Sequence, residues 1–534
     1  MKRFVRCLGV SVLLPMVAAA QSAGLDPNRD LPVWMRAWSA LSAGADLPRR
    51  LPGAGTATSA LFFGAPRVGA FWTAGNPAGL VADVRDSRSD FGAAYRRQSG
   101  NYRRPLDPGA AKLMQVSGQS WRGFSNSVSL LGRVSFDQER YDPGTRADMT
   151  DPFSSGPLVT TDTSGAPVRR TRALLEGVAG WRSGRWGIGV SAGYEARENS
   201  SILTTVTRRD LLNTPAAVLG VSRGLGGTVT LGAYSRFLHR SETIRLIPGS
   251  GATNVYDLLG YREVTPIGVL TTPYYRRREE NARSFGLSLD GGSRTRWTVY
   301  GQANSLHDRL WRQQSDRPPK DAWDATGWSA GGAVQRPLGT RWLATLHARA
   351  VSLTGKADLA EDTLGVFFTA NESLLEVEAE LRRMPEPGGW SGVLIAGFDR
   401  QSRNRRDLAA TVETRISSAT PWVGLEVGGR VSGRLSLSIG GAIAAYGPTS
   451  ALPDPTLRGP VYQVYVAPEV DLYGRTAHPT AFSILARYRT TGAGFLWLSA
   501  RTERLSGSGA VLSGFSPSGS RSSTFVSMGV TVAP

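Results

Sequence analysis

From about residue 89 to the C-terminus, runs of roughly ten residues alternate apolar side chains with small or polar ones. In one run, Val423, Leu425 and Val427 share one parity, and Glu426 and Arg430 have the other. Because side chains of a β-strand point alternately to its two faces, this pattern predicts strands that are apolar on one face only. Short and long connections alternate between the runs, which is typical of transmembrane barrels with short periplasmic turns and long external loops.

The predicted fold is all-β, a transmembrane antiparallel β-barrel of about 18 strands preceded by a short N-terminal periplasmic or plug segment. The number depends on two assignments: residues 480–503 form one strand, and residues 415–432 form one strand with a bulge near Ser418–Pro421. Different assignments give 14, 16 or 20 strands. The predicted strands are 89–97, 112–120, 126–136, 173–181, 186–197, 215–223, 228–238, 283–291, 296–306, 327–335, 341–352, 372–383, 390–401, 415–432, 434–446, 461–473, 480–503 and 523–533.

The N-terminus has the form of a secretory signal peptide. Lys2, Arg3 and Arg6 precede an apolar stretch, and small residues follow it at the expected cleavage site. Cys7, the only cysteine, lies in this signal, so we expect a mature chain without thiols or disulfides. We therefore predict three parts: a signal peptide at 1–21, a periplasmic or plug segment at 22–88 and the barrel at 89–534. The predicted location is the bacterial outer membrane.

Turn-forming residues mark the segment that precedes the barrel. Asn76, Pro77 and Gly79 lie in the sequence Gly-Asn-Pro-Ala-Gly-Leu, and both Asn-Pro and Ala-Gly favour turns. We expect this segment to be compact and irregular. It either lies in the barrel as a plug or seals the periplasmic side.

Tryptophans recur beside the predicted short turns. In a membrane barrel they would form the periplasmic aromatic girdle, because indole prefers the interface between lipid headgroups and the apolar core. The candidate girdle consists of Trp121, Trp181, Trp186, Trp297, Trp342 and Trp390.

The net charge of +19 comes almost entirely from arginine, since the chain has four lysines, at positions 2, 112, 320 and 356. The cations are scattered over many strands, which argues against a nucleic-acid partner. Several charges have the parity expected of a polar lumen, and they form either an ion-pair ladder that braces the wall or a charged constriction that selects solutes by sign. These candidates are Arg349, Glu376, Glu378, Glu380, Arg382, Glu426, Arg430, Arg434, Arg487 and Arg489.

We expect no enzyme, catalytic residue, cofactor or metal site. The chain has four histidines and no mature cysteine, and no spacing of histidines or carboxylates indicates a transition-metal site. Ser305, His307 and Asp308 are close in sequence, but a catalytic triad is recognised by its geometry and not by local adjacency. A hydrolase is therefore the least supported hypothesis.

Two resemblances support the barrel. The segment Gly75–Leu80 resembles the NPAGL-type start of the FadL-like long-chain fatty-acid transporters. The segments 91–101, 130–140, 151–162, 186–198 and 208–214 resemble a bacterial outer-membrane barrel family of unknown function. Both resemblances imply an outer-membrane barrel, and the first also implies transport.

The favoured function is a passive channel or a substrate-specific transporter for small or apolar molecules. A FadL-like transporter would release its substrate sideways through a gap in the wall, for which Ser418–Pro421 is the candidate. The alternative is a non-conducting adaptor whose long external loops dock a secretion or uptake complex. The expected partners are outer-membrane lipid and lipopolysaccharide, and in the adaptor hypothesis another envelope protein.

Overall fold

The barrel extends over nearly the whole described chain. The computed structural model describes residues 68–83, 87–103, 107–141, 158–162, 167–202, 206–248, 254–259, 262–269, 273–311, 321–359, 365–384, 389–452, 467–490, 494–508 and 519–532. The predicted signal peptide, and the predicted N-terminal segment as far as residue 67, lie outside these residues. None of the described helices has the length and apolar character needed to cross a membrane.

The described elements are short helical turns, two helices and 22 strands. A π-helical turn (Ala70–Ala74) and a 3-10 turn (Pro77–Gly79) precede α1 (Leu80–Asp83), and α2 is Ala467–Gly474. The strands are β1 (Arg88–Gly100), β2 (Ala110–Ser125), β3 (Val128–Tyr141), β4 (Leu158–Asp162), β5 (Val168–Ser183), β6 (Trp186–Ile202), β7 (Val206–Gly226), β8 (Val229–Pro248), β9 (Asn254–Leu259), β10 (Arg262–Val269), β11 (Tyr274–Gly291), β12 (Arg296–Trp311), β13 (Asp321–Leu338), β14 (Trp342–Leu359), β15 (Val366–Arg383), β16 (Trp390–Asp407), β17 (Val412–Arg430), β18 (Leu435–Ala444), β19 (Gly447–Leu452), β20 (Thr476–Arg489), β21 (Gly494–Ser508) and β22 (Ser520–Val532).

Antiparallel pairing in chain order closes the wall. The first and last strands pair, with Arg97 opposite Thr524. Strands β18 and β19 are two parts of one wall strand, because both pair with β17. In the described part of the chain the barrel therefore has 18 strands, which confirms the predicted fold class. Strand β4 pairs with β9, and β9 with β10, in a small separate sheet built from two long loops.

The faces of the wall are inverted relative to a soluble protein. Val423, Leu425 and Val427 are exposed on the outside, whereas Glu426 is 1% exposed on the inside. Water-soluble proteins bury their apolar face, so an exposed belt of large apolar side chains around a closed barrel suits a lipid environment. The strand alternation therefore fixes which side chains face the lumen.

Two of the predicted strands were wrong, and the two errors compensate each other, so that the number of strands in the described wall is still 18. Within the predicted strand 461–473, the described residues from Ala467 onward form α2, because Pro468 has no N–H for a sheet but fits the first turn of a helix. The predicted single strand 480–503 is two strands, β20 and β21, which turn between Thr490 and Gly494. The N–H of Thr490 donates to the carbonyl of Gly494 (3.0 Å).

The predicted bulge lies on the neighbouring strand. The register between β17 and β19 shifts at Ser417–Ser418, where Ser417 is opposite Ser450 and Ser418 is opposite Pro448. The extra residue is therefore Thr449 on β19, while β17 runs as one strand. Strands β8 and β11 also extend into residues 239–282, the connection between the predicted strands 228–238 and 283–291, so this connection is shorter than expected.

Candidate functional site

Residues 68–83, which we call the inner segment, lie inside the barrel near the end where the short turns are. Their helical turns contact β3, β5–β8 and β11–β13. Phe71, Asn76 and Leu80 are all 0% exposed. The segment therefore occupies the lumen at the short-turn end.

Local sequence explains the shape of the inner segment. The π-helical turn ends at Gly75, whose φ of 69° is the left-handed conformation that glycine adopts at low cost. The side-chain oxygen of Asn76 accepts a hydrogen bond from the N–H of Ala78 (3.0 Å), and Pro77 occupies the first position of the following turn. Asn is a favoured N-cap and Pro a favoured first helical residue, so the sequence encodes this turn locally.

Asn76 also ties the inner segment to the wall. Its side-chain amide donates to the carbonyls of Val221 on β7 (3.3 Å) and Ala233 on β8 (3.5 Å). One buried side chain thus caps a turn and bridges two wall strands.

Glycines of the wall make the room for this contact. A Cβ on Gly220 would lie 2.1 Å from Oδ1 of Asn76, and a Cβ on Gly189 would lie 2.1 Å from the carbonyl carbon of Pro77. A Cβ on Gly232 would lie 2.5 Å from Nδ2 of Asn76. Any larger residue at these inward positions would displace the inner segment. We call the surface formed by Gly189, Gly220 and Gly232 the glycine seat, and its contact with the inner segment depends on shape.

Asp83 anchors the other end of the inner segment. Its carboxylate accepts the N–H of Phe71 (2.9 Å) and lies 3.6 Å from the guanidinium of Arg296. Burial raises the pKa of Asp83 to about 7, although the hydrogen bond from Phe71 and the charge of Arg296 both favour the carboxylate. Arg236 of β8 donates to the carbonyl of Ala74.

The tryptophans of the predicted girdle do not all face outward. Trp181, Trp186, Trp342 and Trp390 are 39–53% exposed, and Trp297 is half-buried. Trp121 departs from the expectation: it is 6% exposed and lies in the lumenal cluster that contains Phe71 and Leu80 of the inner segment. Its odd-numbered parity on β2 matches the buried Ser117 and Gln119, and this parity was the signal for an inward position.

The predicted lumen charges on β14 and β15 lie close together. Glu380 and Arg382 are both 3% exposed and form an ion pair of 2.9 Å. Arg349 lies 3.7 Å from Glu376, and Glu378 is half-buried on the same strand. These contacts suit the ion-pair ladder that the sequence suggested.

The remaining predicted charges divide between the lumen and the turns. Glu426 accepts a hydrogen bond from the hydroxyl of Ser438 (2.7 Å) inside the barrel. Arg487 is half-buried, and its guanidinium lies 3.3 Å from the ring centre of Phe495. The other three predicted lumen charges are exposed and lie at the short-turn end: Arg430, Arg434 and Arg489.

A buried charge network that the sequence did not predict lies on β8, β11 and β12. Arg278 is 3% exposed and pairs with Asp308 (2.8 Å), Glu280 (2.8 Å) and Glu242 (3.7 Å). Arg278 lies in the connection between the predicted strands 228–238 and 283–291, which were expected to end before it and begin after it. The inward parity it shares with Glu280 and Ser284 could have placed it on a strand.

A second insert, α2, lies at the long-loop end, on the opposite side of the barrel. Arg475 pairs with Asp471 (2.7 Å), and both side chains are almost fully buried. The carbonyl of Tyr473 accepts the hydroxyl hydrogen of Tyr446 (2.8 Å), and the guanidinium of Arg403 lies 5.0 Å from the ring centre of Tyr473. Charge and aromatic contacts thus hold α2.

The wall has an interruption beside α2. Strand β18 pairs with β20, but β19 pairs only with β17 within the described residues. The ladder between β18 and β20 continues in the same register to the bridge between Tyr446 and Ala477, and beyond this bridge α2 packs beside β19 in place of a described strand. We call this interruption the seam.

The geometry gives no support for hydrolysis at Ser305, His307 and Asp308. His307 faces outward and contacts Asp324 (Nδ1 to Oδ1, 2.7 Å), whereas Asp308 is 0% exposed and pairs inward with Arg278. Neighbouring residues of a strand face opposite sides, so His307 and Asp308 cannot act together. Among the described residues, no group of three or more histidines, cysteines, aspartates and glutamates could hold a metal ion.

Comparisons with known proteins give a family and a set of similar folds. The model of a family of unknown function (DUF6850) matches residues 77–532, from the turn of the inner segment to the last strand. No curated protein matches the sequence.

Three of the solved structures that match this chain cover most of its length. The alcaligin outer-membrane receptor FauA of Bordetella pertussis is 8% identical, with 83% of this chain and 75% of that chain covered and a TM-score of 0.43. The ferric yersiniabactin uptake receptor FyuA of Yersinia pestis is 10% identical, with 84% and 80% covered and a TM-score of 0.42. A FadL homologue of Pseudomonas aeruginosa is 10% identical, with 86% and 92% covered and a TM-score of 0.33.

Proposed function

Because the chain belongs to the family of unknown function DUF6850, we propose a function from its own geometry: an outer-membrane transporter whose lumen is closed by the inner segment. The observation that carries this proposal is the seat of Asn76 and Pro77 on Gly189, Gly220 and Gly232. A wall shaped around one segment favours a regulated path over a permanently open pore. The inward charges favour a small polar solute.

The first test is single-channel conductance of the refolded mature protein in a planar bilayer. We expect the full-length protein to be silent and the Gly189→Ala variant to open, because the added Cβ displaces Pro77. Gly177→Ala is the matched control, since Gly177 lies on the outer face of β5 and its Cβ would meet nothing within 4 Å.

Two outcomes would contradict the proposal. Steady conductance of the full-length protein would make it an open channel. If neither the Gly189→Ala variant nor the protein that lacks residues 22–83 conducts, the protein is not a channel, and the adaptor hypothesis is favoured instead.

The seam favours a second candidate, lateral release of an apolar molecule into the membrane. Beyond the Tyr446–Ala477 bridge the described neighbour of β19 on this side is α2, to which the hydroxyl of Tyr446 donates a hydrogen bond. Tyr446→Ala leaves the backbone bridge in place but removes the hydroxyl contact to α2. If α2 closes the seam, this variant should raise the flux of an apolar fluorescent dye into the bilayer and leave the flux of polar solutes unchanged. Equal dye flux in the two proteins would eliminate this candidate.

A further inference from the structure

The outer face carries a row of cations across four adjacent strands. The register places Arg97 of β1 opposite Lys112 of β2, Lys112 opposite Arg140 of β3, and Arg140 opposite Arg169 of β5. We call these four residues the cationic row. Because neighbouring strands lie about 4.8 Å apart, the row concentrates four positive charges within about 15 Å.

All four side chains point away from the lumen. Each is exposed, whereas Ala111, Tyr141 and Val168, which flank three of them, are buried. The same line across the wall continues through Ser200 to two further exposed cations. These are Arg209, which pairs with Glu198 (2.9 Å), and Arg245, whose guanidinium lies 5.2 Å from the ring centre of Tyr275.

Like charges directly opposite one another destabilise a sheet, so the row needs a source of compensation. No carboxylate among the described residues lies within 4.0 Å of the charged groups of Arg97, Lys112 or Arg140. Some other outer-face cations do have such a partner, as Arg309 has Asp324 (2.8 Å). The described chain therefore leaves the positive charge of the row without a carboxylate to neutralise it.

The position of the row indicates where that compensation lies. Tyr95 and Met114, which are 40% and 62% exposed, lie two residues from Arg97 and Lys112 toward the middle of the barrel. Two residues of strand span about 7 Å, so at β1 and β2 the row lies just beyond the apolar belt, at the level of lipid headgroups on the long-loop side. On β3 and β5 the nearest exposed large apolar side chains, Phe136 and Leu175, are four and six residues from Arg140 and Arg169, so the row rises from there toward the long loops.

We propose that the cationic row binds the phosphate groups of an anionic lipid in the leaflet on the long-loop side. Arginine and lysine at this depth can donate to phosphate oxygens while the acyl chains pack against the apolar belt. Phosphate negative charge also removes the repulsion along the row, so lipid binding and barrel stability are coupled.

The test measures binding of diphosphoryl lipid A to the full-length protein in neutral detergent. Lys112→Gln combined with Arg140→Gln should weaken binding about 30-fold, which corresponds to about 2 kcal/mol for two basic residues. Without lipid, the same double variant should melt at a higher temperature than the wild type, because repulsion along the row is relieved. With lipid, it should lose the rise in melting temperature that the wild type shows.

Three controls make the result specific. Lys112→Arg combined with Arg140→Lys keeps both charges and should bind the lipid as the wild type does. Arg309→Gln, at an outer-face cation that already has a carboxylate, should not affect lipid binding. Inorganic phosphate, measured separately, should cause no shift in melting temperature.

Each contrary result has a definite meaning. Unchanged lipid affinity in the double glutamine variant would overturn the proposal, as would an equal loss in Arg309→Gln. If inorganic phosphate raises the melting temperature as much as the lipid does, the row binds free anions and the lipid proposal is wrong.

Discussion

Two inserts occupy opposite ends of the same barrel, and they are held by different kinds of contact. The inner segment fits glycines of the wall so closely that a single methyl group would collide with it. Helix α2 is closed at its C-terminal end by the buried Asp471–Arg475 pair and contacts the wall through the side chains of Arg403 and Tyr446. The first contact depends on shape and the second on charge and hydrogen bonds, so the two should respond differently to substitution and to pH.

The largest effect is expected at α2. Arg475→Met would leave the carboxylate of Asp471 buried without its guanidinium, which typically costs about 3–5 kcal/mol. Thermal unfolding of the single and double variants measures this cost. Adding Asp471→Asn should recover part of the stability, and a double variant as unstable as Arg475→Met would show that the pair does not hold α2.

A smaller effect is expected at the inner segment. Asn76→Leu removes the cap of the 3-10 turn and two hydrogen bonds to the wall, which together contribute about 2–3 kcal/mol. A cysteine introduced at the buried Ala78 should react slowly with a maleimide, and faster when Asn76→Leu is added. Equal rates would mean that Asn76 does not hold the segment in place.

The smallest effect is a dependence on pH at Asp83. Its pKa of about 7 in the docked segment exceeds the ordinary value of 3.8, so docking takes up a proton between these two values and weakens as pH rises through this range. Between pH 6 and pH 8 the docking equilibrium should weaken about tenfold and then level off. Because thiol ionisation alone speeds maleimide labelling as pH rises, the rate at Ala78→Cys is divided at each pH by the rate of a free exposed thiol. This ratio should rise with pH along the docking curve, and Asp83→Asn should flatten it. If docking does not depend on pH when Asp83 is present, the pKa of about 7 for Asp83 is contradicted.

The alternation of side chains predicted the barrel well, because a period of two is a direct consequence of strand geometry. It could not show the turn between β20 and β21. Residues on either side of Thr490–Gly494 keep the same parity, so Ile484 and Leu496 both face outward on different strands. The same alternation also predicted a strand at α2, although Pro468, which has no N–H to donate, argued against a sheet there.

The site was less predictable because it depends on contacts between distant parts of the chain. The turn at Asn76 could be expected from its own residues. Its glycine seat could not, because Gly189, Gly220 and Gly232 lie on three different strands and become one surface only in the closed register. Their shared inward parity near the short turns was the only signal in the sequence.

The closure between β1 and β22 has a consequence for the order of assembly. The strands that contact the inner segment end with β13 at Leu338, whereas the ring closes only when β22, which begins at Ser520, reaches β1. Long chain separations make such closure entropically slow. A half-built sheet already presents the whole seat, so the segment can settle there while the barrel is still open on one side. The last strands would then close the barrel around an inner segment that is already docked.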